Sequence, residues 1–156
     1  MKQPFILSVI TFKGDIDYVY EATRSLLMSY VTGFTHTMIL WDNGSSQEEL
    51  NKLWNAIPRD VLISRHNDGM DYSKLIFEII NFAKSDLRFD FLILCDGLTK
   101  FRTETFHNLV KTCMSSSNVA AVGCKVLKYG TDIISGTGSR LENGNIITPY
   151  VGLKEN

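Results

Sequence analysis

Four short apolar runs in the first hundred residues each end in a small polar cluster: 5–10 (FILSVI), 38–41 (MILW), 61–63 (VLI) and 91–95 (FLILC). The clusters that follow are 11–15 (TFKGD), 42–46 (DNGSS), 67–69 (NDG) and 96–99 (DGLT). Apolar runs without polar alternation belong to strands buried on both faces. A helical pattern follows each, as the crossovers of a parallel sheet require.

Ile16, Val19, Tyr20, Leu26, Leu27, Tyr30 and Val31 recur at helical spacing, and Gly33 is a stop. Ser46 with Glu49 forms a capping box ahead of Leu50, Leu53, Trp54 and Ile57, and Pro58 ends that pattern. Tyr72, Leu75, Ile76, Ile79, Ile80 and Ala83 make the cleanest amphipathic stripe. Phe106, Leu109, Val110, Cys113 and Met114 make another, with Thr103 as its cap, and both helices are expected to cover the sheet. From Val119 the texture changes. Residues 119–122 (VAAV) read as a further strand, and glycines at 130, 136, 138, 144 and 152 punctuate short β-prone runs at 133–134 and 146–147. The expectation is one α/β domain over 1–156, a mostly parallel sheet flanked by helices and ending in a strand and hairpin region.

Composition narrows the function classes. With 44% hydrophobic and 21% charged residues and a net charge of -1, the chain has no electrostatic footprint for nucleic acid or anionic lipid. Cys95, Cys113 and Cys124 lack metal-ligand spacing and sit in apolar surroundings, which reads as buried thiols in a reducing compartment. The apolar stretch at the N-terminus is too short for a secretory segment or a bilayer span. The expected location is cytoplasmic, with attachment to a membrane through partners left open.

The chemistry of such a sheet lies at the carboxyl ends of its strands. Asp42 follows a buried strand and heads a tight Asn43-Gly44 turn, where it either accepts hydrogen bonds from a ribose or base edge or caps the turn. Asn67 offers an amide and Gly69 close backbone approach. Asp96, after five apolar residues, is placed to hold a metal or a ribose. Lys13, Arg65, Lys100 and Arg102 are the cations near these ends, able to face a diphosphate. His36, His66 and His107 form no zinc or nucleophile pattern. Tyr18, Tyr20, Phe77 and Trp54 read as core, while Trp41 is ambiguous.

In order along the chain, 8–12 (SVITF), 24–27 (RSLL), 41–45 (WDNGS), 66–69 (HNDG), 91–96 (FLILCD) and 134–138 (ISGTG) with Asn143-Gly144 and Gly152 resemble the nucleotide-binding half of family-two glycosyltransferases, which have the GT-A fold. The 41–45 turn is the most specific match. That resemblance implies inverting transfer from a nucleotide-diphosphate sugar, most naturally a UDP-sugar, to a hydroxyl of a glycan or lipid-linked acceptor. It implies Thr11, Asp42, Asn67, Gly69 and Asp96 along the donor, with Asp96 at the first position of the DxD motif that holds Mn²⁺ or Mg²⁺, and Lys13, as a cation near these ends, is counted with them. Here the motif reads Asp96-Gly97-Leu98, so the cation site is expected to be weak or absent. The acceptor-binding part and its base are not recognisable, so a further C-terminal region or a partner chain is expected to supply them, and no catalytic base is assigned. Two alternatives stand: a non-catalytic binding or assembly module on the same fold, and a nucleotidyltransferase, whose glycine-rich basic loop is not matched by 11–15.

Overall fold

The structure is a computed structural model that describes residues 3–29, 33–86, 88–138, 140–143 and 145–155. Its internal contacts divide the chain into two compact units, Met1–Phe106 and His107–Asn156.

The first unit alternates strand and helix: β1 (Phe5–Phe12), α1 (Ile16–Met28), β2 (Thr35–Asp42), α2 (Gln47–Ala56), β3 (Leu62–Arg65), α3 (Tyr72–Ser85) and β4 (Phe91–Asp96). The strands form one parallel sheet in the order β3-β2-β1-β4. All four expected strands are present, and β1 and β2 extend beyond their apolar runs to Phe12 and Asp42. Alternation along each strand divides its residues between two faces. Leu7, Val9, Ile39 and Trp41 pack with Leu75 and Ile79 of α3, joined by half-buried Leu92 and Leu94. On the opposite face Ile6, Ile10, Met38 and Leu40 are equally buried. There α1 packs beside α2 and on β1, and Val19, Ala22 and Leu26 of α1 and Leu50 and Leu53 of α2 are buried.

Local chemistry sets the helix ends. Ser46 accepts from the Glu49 amide while Glu49 accepts from the Ser46 amide, the expected reciprocal cap of α2. Ile57, extended ahead of Pro58, ends it. α1 stops at Met28, capped by Ser29, ahead of the expected stop at Gly33; Tyr30 and Val31 lie outside the described residues.

Four aromatics expected in the core are at the surface: Tyr18, Tyr20, Trp54 and Phe77 are exposed, Trp54 by 67%. The buried stripe of each helix is only two to four residues here, Leu50 and Leu53 on α2 and Leu75 and Ile79 on α3, and the bulky neighbours fall beside it.

α4 (Thr105–Met114) begins in the first unit and runs into the second, which continues with β5 (Val126–Leu127), antiparallel to β6 (Ile134–Gly136), and β7 (Arg140–Glu142), antiparallel to β8 (Asn145–Ile147). Asn143, which follows β7, takes a left-handed conformation with φ 50°. The strand expected at 119–122 does not form: those residues are unpaired coil. Two central alanines expose too little apolar area to hold a ladder together. Cys95 and Cys113 are half-buried, but Cys124 is exposed, contrary to the expected buried thiol, because it lies in the coil that follows.

Candidate functional site

Successive strands step outward from β1 through β2 to β3, after which the chain crosses back and lays β4 on the other side of β1. The strand order therefore reverses between β1 and β4, and open α/β sheets hold ligands outside the carboxyl ends at such a point. A crevice of about 220 Å³ occupies that position, lined by Thr11, Lys13, Asp15, Asp96 and Leu98 among others.

Thr11 is buried, and its hydroxyl donates to the Cys95 carbonyl at 3.3 Å, tying β1 to β4. Gly97 continues that tie by donating its amide to the Thr11 carbonyl at 2.8 Å. Gly14 and Asp15 follow with φ of 65° and 49°, two consecutive left-handed residues that swing the chain from strand to helix. Asp15 stands at the N-cap of α1 yet makes no side-chain cap hydrogen bond. A left-handed non-glycine residue costs about 1 kcal/mol or more, and such strain concentrates at functional loops. Lys13 is exposed, and its ammonium lies 3.7 Å from the point a Cβ on Gly69 would occupy. Among the described residues it makes no ion pair.

The turn after β2 ties three loops together. Oδ1 of Asp42 accepts from the Ser45 amide at 2.9 Å and from the Ser45 hydroxyl at 2.5 Å. That same hydroxyl accepts from the Gly14 amide at 2.8 Å, linking the loop after β1. Asn43 spans to the loop after β3, accepting from the Met70 amide at 2.7 Å and donating to its carbonyl at 2.9 Å. Gly44, with φ 97°, passes so close to Gly69 that an added Cβ would stand 3.0 Å from its amide nitrogen. Oδ2 of Asp42 is buried and makes no hydrogen bond. The Arg65 Nε is 3.8 Å from it, within ion-pair range but beyond a hydrogen bond, while another nitrogen of that guanidinium donates to Gln47 Oε1 at 2.6 Å.

Thr11, Lys13 and Asp96 thus share the crevice, and Lys13 connects it to Gly69 and the Asp42 turn. Asn67 is exposed beside that turn, its carbonyl 3.6 Å from the Gly44 Cβ position. Of the cations first weighed for a diphosphate, Lys100 is turned toward Glu21 of α1 at 3.7 Å. The bridging role of Asn43 and Ser45 escaped the sequence reading, although the Asn-Gly dipeptide marked the turn.

Asp96 is exposed, with Oδ1 accepting from the Leu98 amide at 2.8 Å. Among the described residues no three of His, Cys, Asp or Glu converge as a metal site. The positions two residues away on either side are filled by Leu94, packed on the α3 cluster, and exposed Leu98. A single carboxylate does not build a closed site for Mn²⁺ or Mg²⁺, so the donor set does not fit the DxD cation.

Two other features are set aside on geometry. His36 Nε2 lies 2.8 Å from the Ser8 hydroxyl, but Ser8 is fully buried in the sheet, out of reach of a substrate. Burial pushes the His36 imidazole below its usual range against the opposing pull of Asp60. A larger cavity of about 500 Å³ lies between α1 and α2, lined by Tyr20, Arg24, Met28 and Pro58. It adjoins the C-terminal halves of both helices, which run back from the carboxyl edge, and among the described residues no carboxylate lines it.

No helix among the described residues is long and apolar enough to cross a membrane. Comparisons with protein-family models and with curated proteins find no match to this chain.

Proposed function

We propose that the carboxyl edge binds a nucleotide-diphosphate sugar and that the chain is a GT-A-type glycosyltransferase module of the inverting kind. The observation that carries this reading is the second oxygen of Asp42, buried and without a hydrogen bond at the end of β2, the strand next to the β1 end that lines the switch-point crevice. An unpaired buried acceptor costs about 1 to 3 kcal/mol, more when charged, so the site is poised for a donor that the fold itself does not supply. A base N–H or ribose hydroxyl meets that need once the half-exposed Arg65 swings aside.

In this reading Asp42 takes the nucleoside, Asn67 and Gly69 run along its pocket, Asp96 accepts from a ribose hydroxyl, and Thr11 holds the crevice walls together. A UDP-sugar is the expected donor and a glycan or lipid-linked hydroxyl the expected acceptor. The second reading, a nucleotide-binding module without transfer, is favoured by Leu98 at the position of the second DxD acid.

Calorimetric titration with UDP and GDP tests the site, using Asp42→Asn as the control. That substitution keeps an oxygen for Ser45 and removes the free acceptor. The expected loss is about ten- to hundredfold in UDP affinity, the scale of a hydrogen bond to a charged group. Equal affinity in the variant would return Asp42 to turn capping alone, and UDP release from a UDP-sugar separates the two readings.

A further inference from the structure

We infer that Lys13, in place of a divalent cation, meets the charge of the diphosphate, an inference that rests on the nucleotide-binding reading above. The DxD arrangement fails here by composition, around a tightly packed Gly97. Gly97 has no room for a side chain: a Cβ there would stand 3.0 Å from Val19 Cγ2, 3.1 Å from Phe12 Cβ and 3.3 Å from the Thr11 carbonyl oxygen. Leu94 belongs to the core, and Leu98 presents an apolar side chain that is 61% exposed. Asp96 is therefore alone on the β4 side, with half of its carboxylate committed to the Leu98 amide.

The strand order places Lys13 where the missing charge is needed. The nucleoside contact, Asp42, ends β2; Asp96 ends β4; β1 lies between them and delivers Lys13. Adjacent strands are about 4.8 Å apart, so a ligand reaching from one carboxylate to the other spans about 10 Å over the end of β1. A base and its ribose cover such a span, which leaves the phosphates on that ribose within reach of Lys13 over the end of β1. Gly69 leaves open the space beside the Lys13 ammonium, which lies 3.7 Å from its absent Cβ. Among the described residues no carboxylate pairs with Lys13, whereas Lys100 is turned to Glu21. The crevice also holds Asp15 and Asp96, and their charge orients the ligand: hydroxyls toward the acids, phosphates toward Lys13.

The test is calorimetry with uridine and UDP, in EDTA and in excess Mn²⁺. In EDTA UDP is expected to bind more tightly than uridine, and Mn²⁺ to change the affinity less than about threefold. Lys13→Ala is expected to weaken UDP about ten- to hundredfold, to the level of uridine, with uridine itself unaffected and Lys13→Arg largely retaining affinity. Leu98→Asp, which restores the second acid at an exposed position, is expected to make UDP binding respond to Mn²⁺. A tenfold or greater Mn²⁺ enhancement in the wild type, or unchanged UDP affinity in Lys13→Ala, overturns the inference while uridine binding leaves the nucleotide reading standing. No binding of either ligand overturns both.

Discussion

Replacing Gly97 by Ala tests how tightly β1, β4 and α1 close beneath the crevice. The new methyl would meet Val19 Cγ2 at 3.0 Å, Phe12 Cβ at 3.1 Å and the Thr11 carbonyl oxygen at 3.3 Å. Val19, Phe12 and Thr11 are all buried, and Thr11 is held by the Gly97 amide itself, so none of the three gives way without moving a strand end. Overpacking of this kind costs about 1 to 3 kcal/mol. Reduced freedom of the unfolded chain returns about 0.4 to 1 kcal/mol, because Gly97 does not hold a left-handed conformation that alanine would resist. The middle of those ranges gives a net destabilisation of about 1 to 1.5 kcal/mol. With a urea dependence of about 2 kcal/mol per molar, the unfolding midpoint drops by about 0.5 to 0.75 M. Urea titration followed by circular dichroism reads this directly. An unchanged or raised midpoint would refute the packing argument, and with it the steric reason why no side chain occupies that position.

Two further outcomes are expected. Asn43→Ala removes both hydrogen bonds to Met70 and should destabilise by about 1 to 3 kcal/mol, with faster amide exchange at Met70 as the local readout. His36, held neutral by burial, binds fewer protons folded than unfolded below its ordinary value of 6.5; stability should be fully present above that pH and fall as pH drops through it toward the lowered folded value, a dependence that His36→Phe should flatten in denaturation midpoints.

The sheet was legible because its central strands β1 and β2, buried on both faces, leave continuous apolar runs, and the half-buried edge strands β3 and β4 keep short runs of the same kind. The capping box of α2 and the stop at Pro58 were legible for the same local reason: both depend on residues within four positions of one another. Residues 119–122 misled because apolar composition states a willingness to pair without providing a partner. Trp54 and Phe77 misled because helical spacing does not say how wide the buried stripe is, and short helices on a four-stranded sheet bury few positions. At the carboxyl edge the sequence marked Asp42, Asp96 and Lys13 one by one. What it could not convey is the joining of loops distant in sequence: Ser45 to Gly14, Asn43 to Met70, and Lys13 beside Gly69. The steric closure at Gly97 is likewise a property of three elements meeting.

The most direct test of the account is to follow backbone amide resonances of the protein while UDP is added. The account predicts shifts confined to the loops after the four strands, at Lys13, Gly14, Ser45, Gly69 and Gly97. Shifts clustered instead at Tyr20, Met28 and Ile57 around the cavity between α1 and α2, or none at all, would contradict it.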